Sequence, residues 1–220
     1  MNVRYLESVA SATVLAVALA ACATTTPQSG PSFFVSSVGS GKGADFGGLD
    51  GADKHCQSLA TSAGMGDRTW RAYLSTQASG STPAVNARDR IGTGPWKNVK
   101  GVVIATNVDE LHGDNNISKQ TALTEKGTVV SSRPDTPNQH DILTGTQKNG
   151  MAFTVTDDKT CGNWTKSGEG SAMVGHMNRD GTNAPPDNSS WNSSHGSAGC
   201  SDSLLAKTGG AGFIYCFAAK

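Results

Sequence analysis

The sequence predicts an α+β domain: mixed antiparallel sheets, one or two short helices and a long polar loop region. Three observations carry this. Glycine accounts for 27 of 220 residues and aromatics for only 6%, which points to a loop-rich fold rather than a helix bundle. One segment alone repeats apolar residues at helical spacing. Apolar, β-branched or aromatic runs stand near both ends of the segment 32–220.

In chain order, SFFVSSV (Ser32–Val38) reads as the first strand. Leu49, Ala52, Cys56, Leu59, Ala60 and Ala63 then share a helix face, with Asp50 and Asp53 as its N-terminal capping pair and Gly64 closing it. TWRAYLST is a strand, and VNARDRIG a short helical turn. GVVIAT is a further strand, and NVDELHG one helical turn capped by Asn107. TEKGTVV suggests a hairpin arm, and HDILTGTQKNGMAFT reads strand, turn, strand about Asn149-Gly150, ending at TCGNWT. Residues 165–203 are almost wholly polar, broken by SAMVGHM, before the strand GGAGFIYCFAA.

Residues 1–21 read as an export signal. The apolar run Val9–Ala21 has 13 residues, short of the ~20 that span a bilayer. Leu19-Ala20-Ala21-Cys22 resembles a bacterial lipobox, which implies lipidation of Cys22 and, with Ala23 following, the outer membrane; residues 22–31 form a lipid-anchored flexible tether. Residues 32–220 make one domain. Eighteen basic and eighteen acidic side chains cancel, so nothing argues for nucleic acid as a partner. Four cysteines remain in an exported chain: Cys56, Cys161, Cys200 and Cys216. They form two disulfides in one of three pairings, and without a Cys-x-x-Cys pair they do not fit zinc.

One cysteine on the first helix, one after the central hairpin, one in a late loop and one in FIYCF (Phe213–Phe217) is an order that resembles a C-type lectin-like domain. GGLDGADKHCQ, RAYLST, ARDRIGTGPW, LTGT, CGNWT and YCF are similar, more narrowly, to an endostatin-related, lectin-like domain of bacterial lipoproteins. The resemblance covers about residues 33–218. It implies the pairs Cys56–Cys216 and Cys161–Cys200, and so a long loop region pinned at both ends. It also implies a non-enzymatic surface lipoprotein that binds a glycan or protein partner through the Cys161–Cys200 loop. The alternatives are a structural envelope lipoprotein without a small ligand, or an envelope hydrolase.

Trp191-Asn192 resembles the start of the family's Trp-Asn-Asp signature, but Ser193 replaces the aspartate and no Glu-Pro-Asn triplet occurs. The family's calcium chemistry, which needs six to eight oxygen ligands, is therefore incomplete. Asp180, Asn183 and Asp187 remain as candidate calcium ligands, with Trp191, Asn192, Asp187, Asn188 and His195 as candidate ligand-binding residues. An exposed Trp191 would offer an indole to stack on a sugar or anchor a protein partner; the other reading, shared with Trp164, is packing over the disulfides in the core. His176 and His195 lie in the same loop and could share a transition metal, for which the sequence shows no third fixed ligand. Neither a Gly-x-Ser-x-Gly elbow nor a phosphate loop occurs.

Overall fold

A computed structural model describes Met1 and residues 30–181 and 189–219. Cys22 and the rest of the tether up to residue 29, together with Asn183, Asp187 and Asn188, lie outside the described residues.

The architecture is mixed α+β, dominated by sheet. Its middle strand is β8 (Gly210–Ala218), flanked by β1 (Phe33–Val35) on one edge and by β2 (Trp70–Ala72) and β5 (Asp141–Leu143) on the other. Beyond β5 the sheet continues through β6 (Met173–His176) to the edge strand β7 (His195–Gly196). Every pairing in this sheet is antiparallel except β5 with β8, which is parallel. A separate ribbon joins β3 (Trp96–Lys97) to β4 (Val103–Ala105).

Side chains alternate across a strand, and β8 uses both faces. Ile214 and Cys216 enter one apolar cluster with Phe34, Trp70 and Trp164, while Phe213, Tyr215 and Phe217 enter a second with Phe33, Tyr73, Trp96 and Trp191. A strand covered on both sides reads as an unbroken apolar run, which is why FIYCF shows no alternation. The buried indoles of Trp70, Trp96 and Trp164 each donate their N–H to a carbonyl, those of Met65, Ile91 and Ser75. That removes the cost of burying an unpaired donor.

Helix α1 (Gly48–Ser62) covers the first cluster with Ala52, Cys56 and Ala60, spaced four apart. Its N-terminus corrects the expected capping pair. Gly47 is the N-cap, at φ 74°, and no side chain caps the helix. Asp53 instead turns inward, accepting hydrogen bonds from the Ala72 N–H at 2.9 Å, from Arg90 at 2.6 Å and from Arg71. Helix α2 (Val108–His112) behaves as expected, with the Asn107 side chain accepting from the Glu110 N–H. A further helix, Asp202–Ala206, begins at the end of the expected polar stretch and is not anticipated by the sequence. With α1 and α2 this makes three right-handed α-helices among the described residues, against the one or two anticipated.

Two disulfides close the domain, with the pairing that the resemblance implied. Cys56–Cys216 joins α1 to β8 across 160 positions, and Cys161–Cys200 spans 39. Cys161 opens an unusual turn, in which Cys161, Gly162, Asn163 and Trp164 all have φ between 48° and 68°. Asp158 holds it, accepting from the Gly162 and Thr160 N–H groups.

Candidate functional site

The three strands at the far side of the sheet gather four polar side chains. Asp141 opens β5 and faces His176, its antiparallel partner on β6. His195 on β7 is paired with Val174, which makes His176 its diagonal neighbour, within reach for long side chains. His140 precedes β5 and stacks on His176, with ring centroids 4.3 Å apart and planes at 9°. The backbone N–H of Met177 donates to the carbonyl of His140, holding the two segments in this register.

The Nε2 atoms of His140, His176 and His195 stand 3.2, 3.3 and 3.6 Å from Asp141 Oδ1. Nε2 of His176 and Nε2 of His195 are 2.9 Å apart. Three of the four side chains are deeply buried, while His195 keeps 25% exposure at the sheet edge. Each imidazole has its Nδ1 engaged elsewhere: His140 with Asn178 Oδ1 at 2.9 Å, His195 with the Gly196 carbonyl at 3.0 Å, and His176 with Ser194 Oγ at 3.3 Å. His140, Asp141 and His176 offer ligand atoms within 4.8 Å of one another, close enough to share a metal ion.

Burial and charge act against each other here. Burial raises the carboxyl of Asp141, but the neighbouring His176 and His195 outweigh it and bring its pKa to about 2. The His195 imidazole is pushed up by its contact with Asp141. Burial pushes His140 down, against the attraction of Asp141. The cluster thus keeps one ionised carboxylate inside a ring of nitrogens.

Gly175 makes this packing possible. A Cβ there would stand 1.9 Å from the Trp191 carbonyl oxygen, because the chain at 191–192 crosses directly over it. Gly175→Ala should therefore cost about 1–3 kcal/mol by overpacking and displace His195 from His176. A urea melt together with the imidazole proton shifts would check both effects.

The other candidates fall elsewhere. Trp191 is 3% exposed, in the core as the second of its readings had it, which leaves no indole for a sugar. Its ring packs against Tyr73 and Tyr215, and its carbonyl accepts from the Tyr215 hydroxyl at 2.9 Å. Asn192 is equally buried, donating to the Tyr73 hydroxyl and the Lys148 carbonyl. This pair anchors the late segment in the second cluster, since an aromatic flanked by core rings gains more from burial than from water. Asp180 is exposed, with its backbone N–H on Asn178 Oδ1. Of the described sequence candidates, His176 and His195, read as able to share a metal, both join the cluster.

His140 and Asp141 were missed as ligands. The adjacent His-Asp at the head of HDILTGT is the available signal; the sequence reads it as the start of a strand, with His140 a candidate only for the hydrolase alternative. Comparison with known proteins finds no family model that matches the chain and no curated protein similar to it.

Proposed function

We propose that this chain is a non-enzymatic recognition module with a C-type lectin-like fold, lipid-anchored through Cys22 at the bacterial cell envelope and outward from the outer membrane. It takes a glycan or protein partner on the segment between Cys161 and Cys200. The observation that carries the reading is the covalent closure of that segment around the sheet edge: β6 and β7 both lie within it. A short edge strand on a rigid frame offers a partner fixed backbone groups and the half-exposed His195. Support for the fold comes from the nested disulfides, which tie the first helix to the central strand as the family's do.

The test is capture by the full chain in detergent, against a glycan array and against envelope extracts by photocrosslinking from position 196. Capture that disappears when residues 189–199 are replaced supports the module. Indifference to that replacement removes it. Cys22→Ala should release the chain from the membrane fraction, read by fractionation and mass spectrometry of the N-terminal peptide.

One observation favours a second reading, a hydrolase. Ser194 Oγ lies 3.3 Å from His176 Nδ1, and His176 Nε2 lies 3.3 Å from Asp141, a hydroxyl–imidazole–carboxylate order. However, the Ser194 N–H donates to the Val174 carbonyl at 2.7 Å, so it is not available to an oxyanion. A fluorophosphonate probe should leave the chain unlabelled; labelling lost on Ser194→Ala would install the hydrolase in its place.

A further inference from the structure

We propose that His140, Asp141, His176 and His195 form a transition-metal site, with zinc the best-matched ion. The inference goes beyond partner recognition and does not depend on it.

The argument begins with the carboxylate. The Asp141 side chain is 1% exposed, yet neither of its oxygens has a well-aligned donor: the three imidazole nitrogens stand 3.2, 3.3 and 3.6 Å from Oδ1. Buried ionised groups are normally paired with well-aligned donors, because desolvation is otherwise uncompensated. Three ring nitrogens stand near enough to donate, but two of them are disposed not to. A carbonyl oxygen only accepts, so the contact of His195 Nδ1 with the Gly196 carbonyl places the proton on Nδ1. The same holds for His140, whose Nδ1 meets Asn178 Oδ1, an oxygen that also accepts from the Asp180 N–H. With His140 and His195 in the neutral, metal-binding form, Nε2 of each is an acceptor beside the carboxylate, and His176 alone is left to donate, its Nε2 2.9 Å from His195 and 3.3 Å from Asp141. Lone pairs converging on a negative charge repel unless a cation stands among them.

The separations fit such a cation for His140, Asp141 and His176, with His195 as the outer donor, and the stacked rings of His140 and His176 must splay for both lone pairs to meet it. Zinc bonds of 2.0–2.2 Å to nitrogen and oxygen, arranged tetrahedrally, leave donors about 3.3–3.5 Å apart. The contacts are 2.9 Å for His176 with His195, and 3.2, 3.3 and 3.6 Å from Asp141 to the three imidazoles. The outer contacts of Nδ1 are those that orient metal-bound histidines and fix their tautomer. The donor set also selects the ion. Three imidazoles and one carboxylate suit zinc, copper or nickel, whereas calcium requires six or more oxygens. Half-exposed His195 is the side from which the ion enters.

The test uses the purified full chain in detergent with its disulfides intact, stripped by a chelator and dialysed against micromolar zinc or calcium. We expect one zinc per chain by elemental analysis, no calcium at the same concentration, and an X-ray absorption spectrum with imidazole scattering. Asp141→Asn and His176→Gln should weaken zinc binding by more than about tenfold, and Asn178→Ala, which leaves all four donors in place, by roughly tenfold. Zinc at a hundred times its dissociation constant should raise the melting temperature by about 5–10 °C. A folded chain that takes no zinc overturns the proposal. So does zinc binding that all three variants leave unchanged, since the ion then sits elsewhere, and so does calcium loading at these residues. Near-ultraviolet dichroism verifies folding; if the buried variants do not fold, His195→Gln at the sheet edge gives the same reading. Partner capture is scored separately on the stripped chain, so failure of the metal site and failure of the recognition module give different results.

Discussion

Replacing Cys56 and Cys216 together by alanine is expected to destabilise the domain by about 5 kcal/mol, the largest single effect in the molecule. The bridge spans 160 positions, and in the chain-entropy model a closure of that length removes roughly 17 cal/mol/K from the unfolded ensemble. The inner bridge spans 39 positions and on the same reasoning contributes about 4 kcal/mol. The ordering is the sharper expectation: unfolding free energies of the two double variants from urea melts should differ by ~1 kcal/mol, with the outer pair more damaging. Equal costs, or a costlier inner bridge, would mean that native contacts rather than unfolded-chain freedom govern the contribution. Because 36% apolar content is modest for a chain of this size, these links supply much of what the core does not.

Asp53→Ala should be the most damaging single substitution outside the cysteines, at about 3 kcal/mol. Removing one member of a buried ion pair leaves the other charge desolvated and unpaired, a cost of roughly 3–5 kcal/mol. The Arg90 side chain is 13% exposed and pays most of it; Arg71, at 43%, regains water. The Ala72 N–H also loses its acceptor, so α1 separates from β2 on the polar side. Asp53→Asn can still accept from Ala72 but carries no charge, and should cost about half as much. Thermal unfolding would separate them: a loss of ~10 °C for alanine against ~5 °C for asparagine. Equal melting temperatures for all three chains would show that the network contributes nothing net.

Asp53 also shows what can and cannot be read from the chain. Ala52, Cys56 and Ala60 announce the buried face of α1 by their spacing alone, and FIYCF announces the central strand by its unbroken apolarity. Asp53, near the helix start, has the residue type of a cap, and nothing local reveals that two arginines wait 18 and 37 positions away. The same limit governs the histidine cluster. His140 and Asp141 meet His176 because β5 and β6 pair in one particular register, and register is a property of the sheet. The two-residue β7 has no pattern long enough to show at all. Trp191 leaves two readings open in the sequence, a surface indole among polar neighbours or a core residue, and Tyr73 and Tyr215 decide for the core.

The middle position of β8 sets a schedule for assembly. Residues 210–218 are the shared partner of β1, β2 and β5, yet follow all of them in the chain. During synthesis, those earlier strands must wait, held open, for a template that emerges after them. Such a chain stays open until nearly all of it has been made, and then closes in one event. A truncation before residue 210 should leave no partial domain, only a species that proteases and chaperones treat as unfolded.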